Sequence, residues 1–474
     1  MASPNISFDT IPSSIRKPGV YAEFNYRLAV RSLPSNKQRM TIIAQRLAAG
    51  TAPAGTLVQA FSDDQAAVLF GSGSLAHLMV AAAINANPYA DVAVLPLDDA
   101  AGSAAATQTT TFAGTVVVAG VVNINCGDQT LQLAVTTGQT AAQVAAAAQL
   151  LLAQQVKWPF SFATVGAVIT GTAKNKGTVL NNVVFSASTT ATGITITTTQ
   201  PTGGAVDPDL VAPLASIFTS DREFLVTPYN TQTPLTALRN HVTQRSSGIE
   251  KRGCYGVFAL TSTLSAGTTL AGLINDIRMQ MPDLPATVTP DYELAASYAA
   301  VAAFEEDPAM PLNTLELLNV APPPVASRMG RTEQEVMLAN GVTPIEVGPG
   351  ERVQIVRAIT TYTLNPQGVP DPSGLDFTTI RTLDYVRKAI VQRLALRFPR
   401  NKKSVRTKKA IRTQVVDVLL KCQELDIVQN VEANLDGVIV EDDSQDSTRV
   451  DIRIPADVVK GLHVVAARID LIGI

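Results

Sequence analysis

The sequence is short of aromatics, of charge and of cysteine, and each shortage removes a class of protein. Aromatic residues make up 5% of the 474 positions and charged residues 16%. Cys126, Cys254 and Cys422 are far apart and odd in number. That argues against a disulfide framework and for three small buried apolar side chains. The formal net charge of −3 speaks against a dedicated nucleic-acid binder. No run approaches the ~20 uninterrupted apolar residues that cross a bilayer, so no membrane insertion is expected. The opening MASPNISFDTIPSSIRKPG has no signal-peptide core, and the reading is of a soluble chain made in a cytoplasm.

Reactive constellations are missing too. His77, His241 and His463 have no carboxylate or cysteine at metal-ligand spacing, and neither G-x-S-x-G nor a Walker loop is present. No catalytic, cofactor-binding or metal residue is therefore expected, and no cofactor. Gly71-Ser72-Gly73-Ser74-Leu75-Ala76 fits the weak pattern G-x-G-x-x-A, but a dinucleotide site needs a strand directly before it. Ser62-Asp63-Asp64-Gln65 is instead a capping-box start, which makes the intervening residues helical and the glycines a turn between helices. Glu305-Glu306-Asp307 and Glu441-Asp442-Asp443 read as solvated turns.

What is present is apolar and alternating. Hydrophobic residues are 46% of the chain, enough for a large core spread over several domains. Residues 1–30 read as an arm in which Ile6 and Phe8, then Val20, Ala22 and Phe24, alternate with polar neighbours. MTIIAQRL, DVAVLPL, REFLVTPY, GCYGVFALTS and NTLELLNV read as strands. PLTALRNHVTQRS, TLAGLINDIRMQ and DYELAASYAAVAAFEED read as helices. This alternation predicts a discontinuous α/β domain over 31–100 and 207–330 with mostly parallel strands. Residues 101–206 form a compositional island, rich in Thr, with Asp128 as its one acid. They read as an inserted β-rich domain with one Ala-rich helix, entered through an exposed loop. Residues 331–474 read as a C-terminal α+β domain. EQEVMLANGVTPIEV gives a short helix and a strand, and Gly348-Pro349-Gly350 turns into a second strand. Leu383, Val386, Ile390 and Leu394, then Ile411, Val415, Val418 and Cys422, recur at helical spacing. DGVIVED, RVDIRI and HVVAARIDLI close the chain as strands. The fold class is thus α/β and α+β, multidomain.

Two features call for partners. Residues 381–412 hold twelve bases and one acid, whereas 413–474 hold twelve acids and five bases. Opposed patches suit head-to-tail packing of copies, which yields rings or filaments. A solvated basic helix pair is the plainer reading. DNA contact through phosphates alone is a third, although RFPRNKKSVRTKKAIR contains no aromatic besides Phe398. The chain also carries alternating segments at both ends, the last with Ala467, Ile469 and Leu471 on one side. Such segments either pair within the subunit or complete a neighbour's sheet.

The order of these pieces resembles the contractile tail sheath proteins, in particular those of Mu-like bacteriophages. The resemblance rests on IPSSIRKPGVYAEFN, EQEVMLANGVTPIEV, RVQIVRAITTYTL and the helix-and-strand ending through RIDLIGI, and it spans nearly the whole chain. It implies a structural subunit that is not an enzyme, stacked as hexameric rings around a tail tube in the virion and assembled in the host bacterial cytoplasm. Contraction would drive the tube through the host envelope during genome delivery. The implied partners are the subunit itself, the tail tube protein, and baseplate and tail terminator proteins, with no nucleic acid. The inserted domain would lie outermost. Ile6, Phe8, Val20, Ala22 and Phe24 would belong to a donated N-terminal arm, and Ala467, Ile469 and Leu471 to a C-terminal one. Arg387, Lys388, Arg397, Arg400, Lys402, Lys403, Arg406, Lys408 and Lys409 form the pool facing the tube. The alternatives are another self-assembling tail or baseplate component, or a doubly wound nucleotide-binding enzyme.

Overall fold

The computed structural model describes residues 16–21 and 33–470. MTIIAQ and VAVLPL are apolar on both faces, the pattern of strands covered from two sides. They form adjacent parallel strands, Met40–Gln45 and Val92–Leu97, with every residue buried. The six-stranded sheet runs Met279–Gln280, Tyr255–Val257, Phe224–Val226, Met40–Gln45, Val92–Leu97, Val58–Gln59. Its first five strands are parallel, and the short Val58–Gln59 edge is antiparallel. The crossover from Met40–Gln45 to Val92–Leu97 contains two helices, Asp63–Phe70 and Leu75–Ala86. Ser62 caps the first by accepting from the Gln65 amide, and Ser74 caps the second. Gly71 and Gly73 both take positive φ in the turn between them, so no strand precedes this glycine pair.

Residues 107–198 hold two sheets of their own. One has the order Thr192–Thr198, Thr107–Val118, Val168–Ala173, Phe160–Val165, and the other Gln129–Val135, Gly120–Cys126, Phe185–Thr189. The helix Ala141–Leu152 opens with a reciprocal capping box between Thr140 and Gln143. Inward residues alternate along the strands, and Phe160 meets Phe185 edge to face at 4.9 Å. Entry and exit lie side by side, because the Ala104 amide donates to the Ala205 carbonyl at 3.0 Å.

Three sequence readings differ from the structure. NTLELLNV is not a strand; it lies beside Arg352–Ile355, the Leu317 amide donating to the Val353 carbonyl and the Ile355 amide to the Leu315 carbonyl, but makes only one isolated bridge, Glu316 to Gln354. The helix read from TLAGLINDIRMQ starts earlier and stops sooner, at Leu264–Ile274. Thr263 caps it, and Asn275 ends it in a left-handed conformation, φ 39°. HVVAARIDLI has no strand over its described part, since no ladder partner lies alongside within the described chain.

The buried apolar residues fall into two clusters. The larger runs from Met40 to Ile380 and takes in both the parallel sheet and the 107–198 sheets. It also includes Met337, Ile345, Val353 and Ile355, from the helix Arg331–Ala339 and the hairpin Thr343–Gly348 with Arg352–Ile355. The smaller runs from Tyr385 to Val438 between two long helices, Phe377–Arg397 and Val405–Glu424.

Candidate assembly interface

The two long helices carry the basic run. Val386, Ile390, Val415, Val418 and Cys422 face one another as the spacing predicts. Leu383 points out, and Ile411 and Leu394 are half-buried. The connection between the helices, 398–404, and the first turn of the second helix form an exposed basic corner. Arg400, Lys402, Arg406 and Lys409 are exposed there. Lys403 and Lys408 are not free. Both reach Asp442, at 3.0 and 2.6 Å, and Lys403 also donates to the Ser447 carbonyl. The two lysines hold the Asp442 carboxyl below its usual range by hydrogen bonding. Asp442 sits on the hairpin Ile439–Asp442 with Val450–Arg453, so part of the acidic C-terminal segment packs on the basic helix of its own subunit.

Arg387 and Lys388 lie elsewhere. Arg387 donates to the Ser246 carbonyl and to Asp384, 2.7 and 2.8 Å away, and Lys388 approaches the Ser35 carbonyl. Asp384 is also clamped by Arg278 through two bonds of 2.6 and 3.0 Å, and accepts from the Tyr255 hydroxyl. Arg397 is half-buried, and its Nε has no partner among the described residues. The nine basic candidates therefore divide into an exposed corner of four, the internally paired couple Lys403 and Lys408, the pair Arg387 and Lys388 beside the parallel sheet, and Arg397 by itself.

The terminal candidates divide similarly. Ile6, Phe8, Ala22, Phe24 and Leu471 lie outside the described residues. Val20 is fully exposed and belongs to no strand. The C-terminal segment makes a last contact at His463, whose Nδ1 is 3.1 Å from the Asn313 amide nitrogen. Gly461 passes so close to Pro311 that a Cβ there would come within 2.6 Å of its ring. Beyond it Val464, Val465 and Ile469 are 79%, 79% and 95% exposed, and Ala467 is exposed as well. An alternating segment with bare apolar side chains and no ladder among the described residues lacks the sheet that would bury it.

The histidines are structural. The fold supplies His77 with a carboxylate that spacing did not suggest. Its Nε2 lies 2.7 Å from Asp63, which also pairs with Lys157 of the 107–198 region. Burial lowers the His77 pKa, with Asp63 opposing that. His241 is pushed down to about 4 by burial and the nearby Arg245. Among the described residues no group of three or more His, Cys, Asp or Glu could hold a metal ion, and no helix is long and apolar enough to cross a membrane.

Comparison with known proteins agrees with this architecture. Residues 203–361 match the family model of the phage tail sheath protein central domain, and residues 369–472 that of the phage tail sheath C-terminal domain. The chain is 30% identical, over 486 aligned positions, to the Mu-like prophage FluMu tail sheath protein of Haemophilus influenzae. That alignment covers 99% of this chain and 100% of its relative. The crystal structure of a sheath tail protein from Desulfitobacterium hafniense superposes with a TM-score of 0.53 at 13% identity, covering 94% of this chain and 97% of that one. A chain from the sheath complex of an extracellular contractile injection system in its contracted state gives 0.50 at 9% identity, over 97% and 98%. At those identities the likeness is one of fold.

Proposed function

The chain belongs to the phage tail sheath family, and from that premise we propose that it polymerises as stacked hexameric rings around a tail tube and contracts to drive the tube through a host envelope. It is a structural component of a contractile tail, not an enzyme. The supporting observation is the C-terminal segment, where Val464, Val465 and Ile469 are exposed and have no ladder among the described residues. Burying three such side chains in a neighbour recovers roughly 1.5–3 kcal/mol each, and the backbone hydrogen bonds fix the register. Ile6, Phe8, Val20, Ala22 and Phe24 would act in the same way at the other end.

Arg400, Lys402, Arg406 and Lys409 would face an acidic tube surface. Exposed ion pairs are individually weak, often below ~1 kcal/mol, so contraction can break them one ring at a time while backbone-paired arms persist. The extended sheath would be held by a barrier and not by equilibrium. Assembly would take place in the host bacterial cytoplasm, with the tube, baseplate and tail terminator proteins as partners.

Negative-stain microscopy of the concentrated full chain, beside a version lacking residues 463–474, tests the arm. Tubes or stacked rings from the first and monomers from the second are expected, with tail tube added as template. Equal assembly by both would overturn it. Reversing charge at Arg400, Lys402, Arg406 and Lys409 should weaken sheath–tube assembly and leave the subunit folded. Normal assembly by that variant would remove the tube contact.

A further inference from the structure

A cleft of about 590 Å³ opens where three parts of the molecule meet. One wall is the stretch 35–39 that leads into the first strand. The second is formed by residues just before the parallel strands, Asp221–Glu223 and Lys251–Gly253. The third is the helix Phe377–Arg397. Its lining contains nine cations and three carboxylates. All three carboxylates are already engaged. Asp384 is held by Arg278, Arg387 and Tyr255, Asp221 by Arg252 at 3.1 Å, and Glu223 accepts from the Arg39 amide at 2.9 Å.

Of the nine cations, Arg39 and Arg222 pair with Asp91, Arg252 with Asp221 and Arg387 with Asp384; the other five have no carboxylate partner among the described residues. Lys37 and Lys251 stand at the rim, exposed and without a side-chain partner among the described residues, and Lys388 has a carbonyl 3.4 Å away and the Glu223 carboxylate nearby. Deeper in, Arg245 and Arg381 are each 1% exposed. Each guanidinium uses Nη2 on one backbone carbonyl, of Ser220 and Glu305 respectively, and leaves Nε and Nη1 without a partner among the described residues. A buried charge with orphaned donors is costly unless an anion meets it. Gly253 keeps this arrangement tight, because a Cβ there would overlap the Asp384 carboxylate.

We propose that this cleft binds a compact phosphate-bearing anion of the size of tripolyphosphate. Guanidinium forks match phosphate geometry, and the rim lysines would meet the remaining charge. The lining favours phosphate over an acidic protein segment. The free groups are donors, and a polyphosphate brings only acceptors, whereas a peptide brings an amide donor for nearly every carbonyl. Bound there, the anion would clamp the 35–39 stretch and the parallel sheet to the long helix. Tyr385, which lines the cleft, already ties that helix to the Pro34 carbonyl at 2.9 Å. This inference stands on the cleft alone and is independent of how the subunits assemble.

Isothermal titration of the purified full chain with tripolyphosphate, against sodium chloride of matched ionic strength, is the test. One site per chain and a saturable rise in melting temperature of about 5 °C are expected, since a ligand specific for the folded state stabilises it by mass action. Replacing the rim lysines together, Lys37→Gln, Lys251→Gln and Lys388→Gln, should weaken binding at least tenfold and leave the apo melting temperature in place. Arg245→Gln should weaken it further; if that variant does not fold, the rim variant decides. Binding no stronger than the salt control, or unchanged in the rim variant, overturns the proposal. So does tighter, competitive binding by an acidic peptide spanning residues 439–453, which would make the occupant a second copy of the chain.

Discussion

The helices Asp291–Phe304 and Val405–Glu424 belong to one chain and were built for opposite surroundings. The first buries twelve of its fourteen residues; the second buries four of twenty. The first is walled by Leu75–Ala86 and the sheet and is apolar nearly all round, with acids only in its first turn. The second buries a narrow stripe and gives the rest of its surface to Lys, Arg, Gln and Thr. A helix enclosed on all sides is rigid because interiors are close-packed. A helix resting on one stripe depends on a small cluster and leaves its outer face for a partner. For a sheath subunit, that difference separates an enclosed body from a surface open to partners.

The sharpest way to break this comparison is by cavity. Leu294→Ala, at a fully buried position, should cost about 2–5 kcal/mol, read as a lowered midpoint in urea. Leu419→Ala removes a side chain from the smaller cluster and should destabilise the helix pair first, so that two unfolding steps separate. A single coincident transition in both variants would mean that the regions fold as one unit.

A pH series should sharpen it next. The buried helix places Glu293 near Asp128, and burial, reinforced by Asp128, pushes the Glu293 pKa up to about 8 from 4.5. A carboxyl whose folded pKa is raised contributes stability that is complete below about 4.5 and is lost as pH rises through about 8. Glu293→Gln should therefore change little at pH 4.5 and stabilise at pH 8.5 by up to about 5 kcal/mol, at ~1.4 kcal/mol per unit. Denaturant midpoints across that range check it, and a parallel offset at all pH values would rule it out.

The same contrast marks what could be read from the sequence. Strands apolar on both faces, such as MTIIAQ and VAVLPL, and the helix start at Ser62 were legible because the signal is local. The 3.6-residue recurrence of Val415, Val418 and Cys422 likewise gave the buried stripe. NTLELLNV misled because a β-prone run laid beside Arg352–Ile355 makes a single bridge there and not the run of pairs that a strand needs. The basic candidates were legible as a pool but not as a pattern. Arg387 and Arg397 share a helix, yet ten residues put them about 15 Å apart along its axis. Only the fold brings Asp384, Arg278 and Ser246 to the first of them. The anion cleft was invisible, since its walls come from widely separated stretches of chain.

The smallest effect on stability should come from Asp442, and its use is diagnostic. The carboxylate is exposed and holds Lys403 and Lys408 against the hairpin of their own subunit. Solvent screens such pairs, so Asp442→Asn should leave the unfolding midpoint unchanged. It would, however, remove the one anion that Lys403 and Lys408 share beside Arg400, Lys402, Arg406 and Lys409. The net charge of the basic corner would then rise by one, with Lys403 still donating to the Ser447 carbonyl. Retention on a cation-exchange column should shift to higher salt, and binding to an acidic tube should strengthen with a steeper salt dependence. If the corner is only a solvated face, column retention will still rise but tube binding will not. Asp442→Asn thus separates a charge that keeps the helix in water from a charge that recognises a partner, without disturbing the small cluster beneath it.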